Sequence, residues 1–295
     1  MKTEHIGHYI LLFFSALFWG ASFVFTKFLL KNFTTIEIIF LRTALASLFL
    51  LVFSTLFLKK RMKIEKRDIP VIFAFSFFEP FLYFIFETYS LEHISASIVS
   101  IIIATIPIFT AILSKYYFKE QFSIINMLGV LISFTGIAIM LIPGFSDNSS
   151  GFWGVLLAFL AVFSAVGYGF YLRKLSQNYH PVVIITYQNI IGTILFLPIF
   201  IALGLKNGFP ALDNLTATTN LTNILVLAIF CSSLAFIFFV KGVQSLGLGK
   251  SVIFCNLTPV ITAIISFFLL KEDFTVAKIT GIVIVITGIF IVQKK

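Results

Sequence analysis

Charge is what this chain has least of. Only 11% of its 295 residues are charged, with 12 acidic residues against 21 basic ones. Soluble domains carry about 25% charged residues, so a water-facing surface of ordinary polarity is excluded. Cysteine is also scarce. The two present, Cys231 and Cys255, lie inside apolar runs without metal-site spacing, and they read as small buried hydrophobes rather than a disulfide or a metal centre. The four histidines, His5, His8, His93 and His180, fall in loops or at the ends of apolar runs, with no HExxH or CxxC arrangement. A membrane enzyme needs a nucleophile with its base, or clustered metal ligands, so no enzyme, metal or cofactor is expected. There is no GxxxxGK loop to cradle a nucleotide phosphate, which excludes ATP-driven transport within this chain. No apolar run carries the regular polar stripe that a channel lining would favour.

What the chain has instead is hydrocarbon. It is 59% hydrophobic, above the roughly 45–50% of soluble domains, and its mean hydropathy is +1.07. Such a sequence uses the lipid bilayer as its solvent and leaves no room for a sizeable soluble domain. The net charge of +9 does not point to nucleic acid, because the basic residues sit in short loops between apolar runs, where they act as topology signals. The first apolar stretch is longer than a signal-peptide core and reads as a retained helix.

A helix needs roughly 20 apolar residues to cross the hydrocarbon core. Ten stretches qualify: spans 1 to 10 at about 8–30, 35–58, 69–89, 95–118, 123–142, 152–174, 181–204, 221–241, 249–270 and 275–292. With the N-terminus inside, 15 Lys and Arg fall on the inner side and five on the outer, and Arg42 lies within a span. The positive-inside bias therefore places both termini in the cytoplasm. The expected fold is an all-α integral membrane protein, and alternating lipid-facing strands are not seen.

The second half repeats the first. Pro107-Ile-Phe-Thr-Ala-Ile-Leu-Ser, ending at Lys119-Glu120-Gln-Phe122, returns as Pro259-Val-Ile-Thr-Ala-Ile-Ile-Ser, ending at Lys271-Glu272-Asp-Phe274, at a constant offset of 152. The same offset carries Gly129 onto Gly281 and Gly136 onto Gly288. The front of each half aligns at 147, with Trp19 on Val166 and Arg42 on Asn189. The halves span 1–145 and 151–295, with five spans each. An odd number per half inverts the second copy in the membrane, an arrangement that places a transporter's site near the midplane between the halves. The paired glycines, seven residues apart, suit close packing of spans 5 and 10 and leave a homodimer contact open.

Ten spans in two halves, with Phe18-Trp19-Gly20-Ala-Ser-Phe23, Phe40-Leu-Arg42-Thr-Ala-Leu-Ala46 and the paired tails, resemble the EamA family of the drug/metabolite transporter superfamily over essentially the whole chain. The resemblance implies a bacterial inner-membrane carrier, often an exporter of amino acids or other small metabolites. Val166 stands where the second copy would hold a mate for Trp19, so an aromatic clamp is not carried onto both halves.

The candidate site follows from what is expensive to place in lipid, since a charge at a helix centre costs about 2.5–3.5 kcal/mol. Glu79 lies midway along span 3 beside Pro80, with Tyr83 and Glu87 on the same helical face at i+4 and i+8. A carboxylate there suits proton coupling or an amine ligand. Arg42, at a similar depth in span 2, forms either a structural bridge to a glutamate or a charge pair lining a vestibule. Pro80, Pro107 and Pro259 interrupt their helices and free carbonyls. Asn256, Thr258, Tyr168 and Gln188 offer uncharged polar contacts, and Trp19 sits mid-span rather than in an interfacial belt. Most of the 39 phenylalanines are expected to face lipid. The function expected is a secondary-active carrier exporting amino acids or related polar or amphipathic solutes. The alternatives are an importer of a metabolite or nucleotide-sugar-like solute, or a membrane protein that transports nothing.

Overall fold

With lipid as solvent, each segment must satisfy its own backbone donors and acceptors, which a helix does without help from its neighbours. A computed structural model of the protein describes residues 2–57, 63–110, 112, 123–141, 149–208, 214–273 and 275–293. These residues are almost entirely helical, and no strand occurs among them. Span 1 is Lys2–Leu29, span 2 Thr35–Phe57, span 5 Ile124–Leu141, span 6 Ser149–Asn178, span 7 Pro181–Asn207 and span 10 Val276–Gln293. Spans 3, 4, 8 and 9 are interrupted. Seven helices are long and apolar enough to cross a membrane, and the shorter Ala96–Thr110, Met127–Ile137 and Val276–Gly288 bring the apolar segments to ten. Lys59, Lys60, Arg61, Lys115, the Lys119-Glu120 pair, Phe274, Lys294 and Lys295 lie outside the described residues.

Span 2 opens with a reciprocal cap. The Glu37 carboxylate accepts from the Thr34 N–H at 2.8 Å, and the Glu37 N–H donates to the Thr34 hydroxyl at 3.5 Å, which satisfies donors the first turn cannot. Further in, hydroxyls turn back one helical turn. Thr43 donates to Ile39 O and Ser47 to Thr43 O, both at 2.8 Å. Polar residues are tolerated in the spans because they consume their own donors.

Spans 5 and 10 pack antiparallel through their glycines. A Cβ on Gly136 would lie 2.8 Å from Gly281 O, and one on Gly288 would lie 2.6 Å from Gly129 O. Ser133 Oγ also donates to Val285 O at 3.2 Å. Gly281 and Gly288 are the offset-152 mates of Gly129 and Gly136. The contact is therefore reproduced when the halves are exchanged, as a local twofold requires. These glycine faces meet inside one chain.

The breaks come in pairs as well. Span 3 runs as Ile69–Ser76, a π-helical turn at Phe77–Leu82, then Tyr83–His93. Span 8 runs as Thr218–Val226, a π-helical turn at Leu227–Leu234, then Ala235–Leu246. Span 4 is helical over Ala96–Ile103, turns at Ala104 and Thr105, and resumes at Ile106. Span 9 passes from Leu248–Val252 through a 3-10 turn at Ile253–Leu257 into Thr258–Leu270. Pro107 and Pro259 each sit in the first turn of the resumed helix, where a missing N–H costs no helical bond.

The chain starts at one end of the bundle, here called the near end. Residues 63–68, 179–180 and 247 also turn there, and residues 30–34, 94–95, 208, 214–217, 271–273 and 275 turn at the far end.

Candidate functional site

The paired breaks surround one cavity at mid-depth. It is lined by Trp19 and Ser22 of span 1, Arg42 of span 2, Glu79, Tyr83, Phe84 and Glu87 of span 3, and Tyr168 of span 6. Phe236 and Phe239 of span 8 and Cys255 and Thr258 of span 9 also face it, as do Phe23 of span 1 and Thr110 of span 4. Both halves contribute. At about 70 Å³ it is far smaller than the roughly 300–1,000 Å³ of pockets that hold drug-sized ligands. As it stands, the space is too small for a drug-sized molecule.

Glu79 reaches this wall because the helix breaks around it. Its backbone is extended (φ −148°, ψ 118°) inside an otherwise helical turn, and the following Pro80 packs against span 7 at Gly192. A Cβ on Gly192 would lie 2.3 Å from Pro80 Cγ. Tyr83 and Glu87 then follow on the regular helix, one turn apart. Glu79 and Glu87 are buried at 6% and 1% exposure, and no ion pair joins either to Arg42 among the described residues.

Arg42 is the largest fully buried side chain of the described protein. Its Nε donates to Ser232 Oγ at 2.9 Å, and its guanidinium carbon lies 4.0 Å from the centroid of the Phe84 ring. Nη1 has no partner. The structural Arg–glutamate bridge weighed from the sequence is therefore not formed, and the guanidinium is held by a hydroxyl and a ring instead. Glu87 Oε2, Trp19 Nε1 and Tyr168 OH also lack partners. A buried polar group left unbonded costs about 1–3 kcal/mol. One donor-rich cation, one carboxylate oxygen, an indole N–H and a phenol thus face a common space with bonding capacity unspent.

The aromatic part of the wall divides between the halves. Phe84 covers Arg42. Phe236, its mate at offset 152, meets Trp19 edge-on at 5.1 Å, and Phe239 lies 5.0 Å from the same indole. Tyr168 stacks on Phe75 at 4.5 Å. Gly20, beside Trp19, serves a close helix approach rather than a solute: a Cβ there would lie 2.7 Å from Ile261, and Thr262 Oγ1 donates to Gly20 O at 2.9 Å.

Of the residues singled out from sequence, Trp19, Arg42, Glu79, Tyr83, Glu87, Tyr168 and Thr258 share the cavity. Gln188 and Asn256 do not. Both are buried outside its wall, at 1% and 5% exposure, and Gln188 Oε1 and both amide atoms of Asn256 lack partners among the described residues. Asn189 joins helices instead, donating to Ser232 O at 3.2 Å. Sequence reasoning missed Ser22, Phe84, Ser232, Phe236, Phe239 and Cys255. A signal existed for two of them, since Phe84 and Phe236 are repeat mates flanking the charged face. The others look like any apolar or small residue in a span.

Known proteins resemble this chain along its whole length. An uncharacterized transporter of Archaeoglobus fulgidus is 25% identical, covering 97% of this chain and 99% of its own. The uncharacterized transporter YetK of Bacillus subtilis is 27% identical, covering 100% of this chain and 90% of its own. A protein of known crystal structure shares the fold with a TM-score of 0.70 at 12% identity, over 97% of this chain and 96% of that one. The EamA-like transporter family matches twice, at residues 7–142 and 152–293, one match to each five-span half. This multi-pass membrane protein, whose halves close around a cavity holding an unpaired arginine, belongs to the EamA-like transporter family.

Proposed function

We propose that this carrier exports an amino acid or a closely related zwitterion by alternating access around the Arg42 cavity. The observation that carries the reading is the unpaired guanidinium of Arg42 in one enclosed space with Glu79 and Glu87. A planar fork of donors suits a carboxylate, and a buried carboxylate suits an ammonium group. The solute's acid end meets Arg42, its amine meets Glu87 or Glu79, and its side chain lies on Trp19, Phe236 and Phe239. Buried charges that are neither paired nor exposed are expensive, and a zwitterion neutralises both signs at once.

The two halves, 1–145 and 151–295, rock about the local twofold, so the site faces each side in turn. By the count along the sequence, 15 Lys and Arg fall on the side of the N-terminus and five on the other, so the near end and both termini are cytoplasmic in a bacterial inner membrane. Glu79 is the group that couples flux to protons. The assembly is a carrier rather than an enzyme and needs no cofactor.

The test is uptake and counterflow in proteoliposomes across amino acids, polyamines and nucleosides. Wild type is compared with Glu79→Gln and Arg42→Ala. The reading expects an α-amino acid to be carried and both variants to be impaired. If both variants carry every accepted solute like wild type, the site assignment fails. Flux insensitive to an imposed pH gradient removes proton coupling alone.

A further inference from the structure

The repeat gives the two ends of the bundle matching positions, and among the described residues those positions are buried unequally. At the far end, the start of span 4 is sealed. Ala96 and Ser97 are buried, at 0% and 3% exposure. Their mates at the near end, Leu248 and Gly249, are half-buried and exposed, and Leu248 lines the central cavity. Lys27 shows the same inequality. It is half-buried and donates to Leu91 O and, at 3.1 Å, to Ile94 O, at the junction of spans 3 and 4. Its mate Lys174 has a side chain 60% exposed and, among the described residues, pairs with Asp68 at 3.9 Å.

One side chain ties the sealed end across the halves. Glu272 belongs to the second half, just past span 9. Lys271 adopts the left-handed conformation (φ 53°) that ends span 9, and the chain reverses so that Glu272 points back over the bundle. Its Oε1 accepts from the Ala96 N–H at 3.0 Å, and its Oε2 accepts from Ser97 Oγ at 2.6 Å. Ser97 also bonds Ser266 of span 9 at 3.0 Å, and Lys278 of span 10 lies 3.8 Å from the same carboxylate. A carboxylate on the first N–H of a helix is doubly favoured, by the unsatisfied donor and by the helix dipole.

We propose that Glu272 is the latch that holds the far end shut, and that its release from Ala96 and Ser97 admits the far side to the cavity. The proposal rests on the carrier reading. These bonds are few and polar, and the Glu272 side chain is 11% exposed at the lip of the bundle, so water can take their place once the carboxylate swings out and they can reform. The glycine contact of spans 5 and 10 has no such exchange, which makes it a fixed axis. The latch is thus the part of the far end able to open while the scaffold stays intact.

Thiol accessibility tests the latch without any solute. Ser22, on the far side of Trp19 and 4% exposed in the cavity wall, is changed to Cys in a chain whose Cys255 is Ser. The fully buried Cys231 is kept as an interior control. A membrane-impermeant maleimide is applied to each side of the membrane separately. Adding Glu272→Gln is expected to raise far-side labelling of Ser22→Cys on the order of tenfold, the population ratio that one charge-assisted hydrogen bond commands, with Cys231 silent. Ser97→Ala, which removes one of the bonds, is expected to give a severalfold rise. It decides the matter if Glu272→Gln exposes Cys231. Unchanged labelling in an intact chain overturns the latch, as does a rise confined to the near side. Labelling needs no transported solute, so a failed uptake panel with increased far-side labelling sinks the substrate reading and spares the latch.

Discussion

Spans 3 and 8 occupy the same place in the two halves, and both are interrupted by a π-helical turn. What holds each turn differs. In span 3 the anchor is steric: Pro80 fills the space that Gly192 leaves in span 7. In span 8 the residue at the same repeat position is Ser232, and the anchor is hydrogen bonding. Its hydroxyl accepts from Arg42 and its carbonyl from Asn189. Glu79 is matched across the repeat by Cys231, which is buried outside the cavity wall, and Glu87 by Phe239, which lines it. One copy supplies the carboxylates and the other supplies the aromatic floor and the acceptor that aims the arginine. The break is a shared feature of the architecture, whereas the charge belongs to one side.

Exchanging charge for neutrality at matched positions probes this division most severely. Glu87→Gln is expected to lower transport on the order of a hundredfold, since a bond to a buried charged group contributes about 1.5–3 kcal/mol. The matched change Phe239→Leu should cost only a few-fold, through lost aromatic area. Equal losses would show that the cavity reads shape alone, and uptake kinetics on both variants decide it.

A smaller effect is expected at the steric anchor. Gly192→Ala drives a methyl group into Pro80, and overpacking of this kind costs about 1–3 kcal/mol. Thermal unfolding in detergent should show a lower midpoint. A midpoint equal to wild type would mean that the span 3 turn is not pinned there.

The mildest effect belongs to the hydrogen-bonded anchor. Ser232→Ala removes the Nε acceptor but leaves Phe84 over the guanidinium, so KM should rise a few-fold while maximal flux holds. An unchanged KM would mean that Phe84 alone positions Arg42.

Much of the fold was legible because lipid imposes length and composition on every crossing. The ten apolar stretches, the glycine pairs and the repeat each carry their own signal. Span 3 was placed at 69–89, yet its helix continues to His93, because the polar residues of its last turn, Glu92 among them, find partners at the far end. There Glu92 accepts from Thr35 Oγ1 at 2.5 Å. The charged part of the cavity wall was equally visible, because Glu79, Glu87 and Arg42 are costly in hydrocarbon and few. Phe239 was hidden, and Phe84 and Phe236 were marked only as repeat mates, because a lipid-facing phenylalanine and a cavity-lining one satisfy the same hydropathy.

By itself, then, the sequence determined a membrane-spanning helical repeat with three expensive charges near its middle, since composition and periodicity act along the chain. Only the tertiary structure decided that Arg42 bonds Ser232 rather than a glutamate, that Gln188 and Asn256 lie off the cavity wall, and that the Glu272 carboxylate joins the end of span 9 to the start of span 4. Those outcomes depend on the angles at which broken helices cross, and a π-helical turn changes the facing of every residue beyond it. No residue pattern within a single span encodes that rotation.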